Sequence, residues 1–228
     1  MTLTTQDKTN WHKALAFFAC LGVGGSLILN VFNVGPVPIT DYTLFQNHFG
    51  VKGTLPRILD FLSYFTIWSN ILVAYVSIRL AKDPLDKRGR MPILIPTSLV
   101  MITITGILYN LLIAPVTPPK GLNIATSIVQ HGITPVLTLL VWFKCGPRGL
   151  INLRKIPYYY IIPITFLLYT LIRSSIIKQW PYAFLDEASL GWAKWLITVA
   201  MIIVFGLVII GILIPIDRLQ IKRHAPKP

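Results

Sequence analysis

Residues 193–214 read AKWLITVAMIIVFGLVIIGILI, and Lys194 is the one charged side chain among them. A helix needs about 20 predominantly apolar residues to cross a hydrocarbon layer of about 30 Å, and this stretch meets that length. Outward from it, five more blocks of the same character lie at about 12–33, 57–80, 93–115, 122–143 and 156–177, each bounded by Pro, Gly or basic residues. A chain in lipid must satisfy its own backbone, which leaves helices and closed barrels. The blocks lack the alternation of membrane strands, so the fold class is all-α. The expected architecture is a single domain, residues 1–228, forming a polytopic membrane bundle of six transmembrane helices. Composition points the same way: 54% of the chain is hydrophobic and only 13% is charged, about half the charged share of an ordinary soluble domain. A soluble enzyme, a secreted disulfide scaffold and a disordered basic tail are excluded.

Charge sets the expected orientation. Lys8, His12 and Lys13 stand at the first block in the manner of a secretory signal. That block is too long for one and has no A-x-A pattern before Asn30 and Asn33, so it reads as a retained span. The N-terminus, residues 79–90, residues 144–155 and the C-terminus hold 15 Lys and Arg, against 6 on the opposite face: Lys52, Arg57, Lys120, Arg173, Lys178 and Lys194. Both termini are therefore expected in the cytoplasm. The net charge of +13 is dispersed over four short segments without a nucleic-acid motif. It reads as attraction to anionic lipid heads at the cytoplasmic face, with no nucleic-acid partner. Cys20 and Cys145 sit in and just beyond different blocks and read as free thiols. His12, His48, His131 and His224 are scattered, so no metal and no cofactor is expected.

Polar side chains at membrane depth are the informative residues, because each costs free energy unless it meets a partner or a cavity. The second block carries Ser63, Thr66, Asn70 and Ser77, and the fourth carries Ser127, His131, Thr134 and Thr138, with Gln130 at its border. Both sets repeat at helical spacing, so each makes one stripe. Thr66 lies nine residues after Arg57 and His131 nine after Leu122, about 13 Å down a helix in each case. The two belong at one level. Tyr109, Asn110, Tyr169, Arg173 and Asn30 reach the same outer half, which predicts a polar pocket there. Arg173, Asn110, Tyr169, Asn70, Ser69 and Gln130 are the residues expected to meet a substrate in it.

A threonine hydroxyl beside an imidazole can attack a carbonyl carbon while the ring takes the proton and returns it to the leaving group. Pro135, four residues after His131, removes the amide that would bond the His131 carbonyl and should bend the helix there. Blander readings stand beside this one. A lone membrane histidine can simply bond a neighbouring helix, and a membrane threonine often bonds its own helix carbonyl. Asn70 or Asn110 is a candidate to orient His131, and Asn110, Tyr109, Ser69 or Ser127 to hold an oxyanion. Arg173 either reaches the interface or receives a substrate carboxylate. No Asp or Glu occupies the centre of a span and no internal repeat is evident, which counts against a proton-coupled transporter.

The stretch Tyr64-Phe65-Thr66-Ile67-Trp68-Ser69-Asn70, His131 with Pro135, and Trp180-Pro181-Tyr182-Ala183-Phe184-Leu185-Asp186 together resemble the androgen-induced-protein-like family of six-span membrane proteins, in its bacterial branch. Vertebrate members hydrolyse fatty acid esters of hydroxy fatty acids with an intramembrane threonine and histidine. The resemblance implies that Thr66 is the nucleophile and His131 its base. It implies membrane lipids as partners, a long-chain fatty acyl ester as substrate, and a multi-pass protein of the bacterial cytoplasmic membrane. The 180–186 segment would be an external turn with a structural role. Ser69 stands where the vertebrate sequences carry an acidic residue, and their histidine-to-proline spacing is one residue longer. The alternative is a non-enzymatic lipid-binding protein or small-solute transporter that uses the same pocket.

Overall fold

A computed structural model describes residues 3–31, 54–178 and 180–224; Asn33, His48, Lys52 and Lys227, used above, lie outside them. Every regular element among the described residues is helical. Helix α1 (Thr5–Ser26) starts under a reciprocal cap: the Asp7 amide donates to the Thr4 hydroxyl at 3.1 Å, and the Thr4 amide donates to the Asp7 carboxylate at 2.9 Å. It runs on through one π-helical turn, Leu27–Val31. Its buried face is His12, Leu15, Ala16, Ala19, Gly22 and Ser26; beyond Leu15 it is small, so α1 packs closely on its neighbours there.

Then come α2 (Thr54–Phe61), α3 (Phe65–Lys82), and α4 (Met91–Leu108) with a π turn at Tyr109–Ile113. A shorter helix, α5 (Asn123–Ile128), passes through a π turn at Val129–Ile133 into α6 (Thr134–Cys145). After a 3-10 turn, α7 (Ile156–Tyr159) leads to α8 (Ile161–Ile177). A second 3-10 turn (Ala183–Leu185) and α9 (Glu187–Leu190) precede α10 (Trp192–His224). Prolines stand at the starts of α4 and α7, where a missing amide hydrogen costs nothing.

Among the described residues, five helical stretches are long and apolar enough to cross a membrane: Thr5–Leu29, Met91–Ile113, Asn123–Cys145, Leu153–Ile177 and Trp192–Ile221. The chain is thus an all-α protein with the character of an integral membrane bundle. The most apolar part of α4 is 61% buried, against 28–33% in the other four, which makes it the central helix. Leu99, Val100 and Met101 of α4 pack with Leu72 and Val76 of α3, Trp142 of α6 and Ile210 of α10.

The second block departs from the sequence expectation, because it is two helices rather than one. The chain leaves helical geometry at Leu62–Tyr64, with Tyr64 extended at φ −96° and ψ 123°. Neither glycine nor proline breaks it. Remote side chains satisfy the freed backbone instead: Tyr169 donates to the Leu59 carbonyl at 2.6 Å, Trp68 Nε1 to the Leu62 carbonyl at 2.7 Å, and the Phe65 amide donates to the Tyr182 hydroxyl at 2.9 Å. Irregular backbone at such depth is tolerated only where protein supplies these bonds.

The connections counted together by charge share one end of the bundle. Lys87 Nζ donates to the Arg148 carbonyl, the amides of Gly149 and Ile151 donate to Asp217 at 3.0 and 3.1 Å, and Lys144 lies 5.2 Å from the Trp11 ring centre. Arg88, through its side chain and amide, and then Arg79 hold the Asp86 carboxyl well below the usual carboxylate range.

Candidate active site

The break in the second block puts Thr66 in the first turn of α3, and His131 stands in the π turn Val129–Ile133. Thr66 Oγ1 and His131 Nε2 stand 3.0 Å apart, a hydrogen-bond distance across two helices 65 residues apart in sequence. The other ring nitrogen, Nδ1, is 3.1 Å from the Ser127 carbonyl and 3.2 Å from the Ser127 hydroxyl. A carbonyl can only accept, so Nδ1 carries the hydrogen in that bond. In the neutral ring Nε2 is then the acceptor and Thr66 the donor. That is the arrangement a general base requires.

Tyr109 holds the ring from one face, stacked on His131 with centroids 3.4 Å apart and planes at 10°. Its hydroxyl accepts from Ser127 Oγ at 2.6 Å. Both aromatic rings belong to π turns, where the extra residue per turn rotates side chains off the ordinary helical stripe. The carbonyl of His131, deprived of a donor by Pro135, is met by Asn110 Nδ2 at 3.0 Å, which also donates to the Gly106 carbonyl at 2.7 Å.

The predicted substrate-contacting residues are each engaged within the chain. Asn70 Nδ2 donates to the carbonyls of Thr66 at 2.9 Å and Gln130 at 3.4 Å. Ser69 Oγ donates to the Thr66 carbonyl at 3.0 Å and stands 2.8 Å from Thr105 Oγ1. Gln130 Nε2 ties α1 to the site through the Gly22 carbonyl, 2.7 Å, and Ser26 Oγ, 3.0 Å. Tyr169 caps Leu59, as described, and Asn110 caps His131. For Arg173 the sequence offered the interface or a substrate carboxylate; the structure gives it the carboxylate of Asp60, with both side chains buried. The sequence left Asp60 unpaired because the partners are 113 residues apart.

Beside Thr66 lies a cavity of about 110 Å³, walled by aliphatic side chains of α4, α8 and α10, with Thr66, Thr105, Tyr109, Tyr159, Tyr160 and Tyr182 as its hydroxyl-bearing lining. None of the six predicted substrate contacts borders it, nor does His131, which stands behind Thr66 and Tyr109. Thr105 escaped the sequence reading, and the roles of Ser127 and Tyr182, which it named, were missed. Ser127 orients the histidine, Thr105 braces Ser69, and Tyr182 reaches the start of α3 from the segment before α10. Burial pushes the Tyr182 phenol up to about 12; the Phe65 amide and then the hydroxyl and amide of Thr66 draw it back only in part. At neutral pH it is a hydrogen-bond donor. Its sequence signal was the Trp180-Pro181-Tyr182 run beside an apolar block, which indicates an interfacial aromatic without saying where its hydroxyl points.

A hydroxyl bonded to an oriented imidazole at the edge of an apolar cavity is equipped to acylate itself on an ester whose alkyl part fills that cavity. No family model, curated protein or solved structure matches the chain.

Proposed function

We propose that the chain is a six-span integral membrane lipid hydrolase that cleaves long-chain fatty acyl esters with Thr66 as nucleophile and His131 as base. The single observation that carries the reading is the 3.0 Å approach of Thr66 Oγ1 to His131 Nε2 beside an apolar cavity. The resemblance of residues 64–70, 131–135 and 180–186 to the androgen-induced-protein-like family supports it independently. In this reading α2 and α3 together make the second span, the basic end of the bundle faces the cytoplasm and anionic lipid heads, and the membrane is a bacterial cytoplasmic membrane.

The chemistry runs in two halves. Thr66 Oγ1 attacks the ester carbonyl carbon as its proton passes to His131 Nε2. The tetrahedral adduct collapses, the carbon–oxygen bond to the alcohol breaks, and His131 returns the proton to the departing alkoxide. A water then attacks the threonyl ester, His131 takes its proton, and collapse releases the fatty acid as His131 reprotonates Thr66 Oγ1. With Asp60 holding Arg173, the described residues of the cavity wall include no Lys, Arg or His to meet a substrate carboxylate. An uncharged acyl ester suits it better than an acid.

Purified protein in lipid nanodiscs, assayed on a p-nitrophenyl ester of a long-chain fatty acid, tests this directly. Thr66→Ala and His131→Ala should each lower kcat by at least about 100-fold, and a fluorophosphonate probe should label the unaltered chain but not Thr66→Ala. Labelling that survives Thr66→Ala overturns the mechanism. Intact ester that copurifies and is never cleaved identifies a lipid-binding protein instead.

A further inference from the structure

Attack on an ester carbonyl moves an electron pair onto its oxygen, and in an apolar cavity that charge needs a hydrogen-bond donor placed beside the nucleophile. The side chains nearest in character are otherwise engaged. Asn110 donates to two carbonyls, and Ser69 donates to the Thr66 carbonyl. Ser127 donates to Tyr109, and this places the Tyr109 hydroxyl on the Nδ1 side of the imidazole, away from Thr66.

Tyr182 differs from all of these. Its ring lines the cavity with Thr66. Its phenol oxygen accepts the Phe65 amide at 2.9 Å and meets the amide and hydroxyl of Thr66. The Phe65 amide takes one lone pair, and because the Thr66 hydrogen goes to His131, the phenol is the donor where it meets Thr66 Oγ1; once that oxygen has attacked, the phenol hydrogen is beside the new oxyanion and free to turn to it. Two aromatic rings hold it: it stacks on Phe184 with centroids 5.1 Å apart and meets Tyr64 edge to face at 6.1 Å. The segment that carries it is anchored by buried Leu185, whose carbonyl accepts from Trp195 Nε1 at 3.1 Å.

From this we infer that Tyr182 is the oxyanion donor of the hydrolase, a catalytic residue contributed by the segment between α8 and α10. The inference rests on the proposed hydrolysis. It adds one hydrogen bond from the phenol to the carbonyl oxygen, present while the carbon is tetrahedral in both halves of the reaction, with no proton transferred. It also supplies a reason for the broken second block. A helix running through Leu62–Tyr64 would spend the Phe65 amide on its own carbonyls and leave the phenol without its anchor.

Tyr182→Phe keeps the ring and removes the donor. In nanodiscs it should lower kcat on the p-nitrophenyl ester by about 100- to 1,000-fold, with KM changed less than about threefold. A trifluoromethyl ketone of the same chain length, which adds Thr66 to form an oxyanion, should lose affinity by the same factor as kcat. The matching alkyl ether, which forms none, should bind unchanged. If Tyr182 only braces α3, both ligands weaken together and the inference fails. Should Tyr182→Phe fold poorly, 3-fluorotyrosine at 182 keeps the hydroxyl and makes it a stronger donor; ketone affinity must then change while ether affinity does not. Full kcat in Tyr182→Phe overturns this inference and leaves the hydrolase reading standing, whereas an unaltered chain that neither cleaves nor is labelled overturns both.

Discussion

At the scale of single residues, the pair most open to test is Asp60 with Arg173. Two charges out of water are costly, and their mutual bond offsets this only while both are present. Asp60→Asn or Arg173→Met alone should each destabilise the protein by about 3–5 kcal/mol, whereas the double change should recover most of that loss. Thermal unfolding in detergent at fixed lipid content measures it; equal losses in single and double variants would mean that the two act separately. Thr66 and His131 were legible in the sequence because helical spacing and distance from the span ends put both on polar stripes at one depth. The aim of Tyr182 and the Asp60 partnership were not. What defines them is the aim of a side chain across the fold, over 117 residues for Tyr182 and 113 for Asp60, and no periodicity records that.

At the scale of elements, the site depends on how closely α4 and α6 approach. A Cβ built on Gly106 would lie 2.9 Å from the Pro135 Cβ and 3.5 Å from the His131 carbonyl oxygen. A proline ring on the backbone cannot swing away, so Gly106→Ala must push the helices apart. The expected result is a lower melting temperature, by about 1–3 kcal/mol of stability, and weaker fluorophosphonate labelling as Asn110 loses its hold on the His131 carbonyl. A melting temperature equal to the parent's would show that the helices slide at no cost. Five of the six apolar blocks appear as helices near their expected places, since length and hydropathy dictate them. The ends shift where caps rather than apolar content decide: α1 starts earlier, under Thr4, and α10 runs on to His224. The interruption at Leu62–Tyr64 had no local signal, because its cause lies in Trp68, Tyr169 and Tyr182.

At the scale of the whole molecule, the gathering of residues 83–90, 146–152 and Asp217 at one end makes the proposed orientation testable. Alkaline phosphatase fused after residue 224 should be inactive in bacterial cells, and the same enzyme inserted near Lys120 should be active. The reverse pattern would invert the bundle and put the dyad in the inner half. The interruption of the second block has one more consequence, for biosynthesis. The phenols that cap it are translated 110 and 117 residues after the backbone groups they serve. The Leu59 carbonyl has the Ser63 hydroxyl at 2.9 Å from the start, but while the ribosome is still short of Tyr182 the insertion machinery must shelter a bare Phe65 amide that bilayer lipid will not accept. In the proposed topology the span made by α2 and α3 is therefore completed only once Tyr182 is made, and a nascent chain stopped before it is expected to remain with the insertase or be degraded.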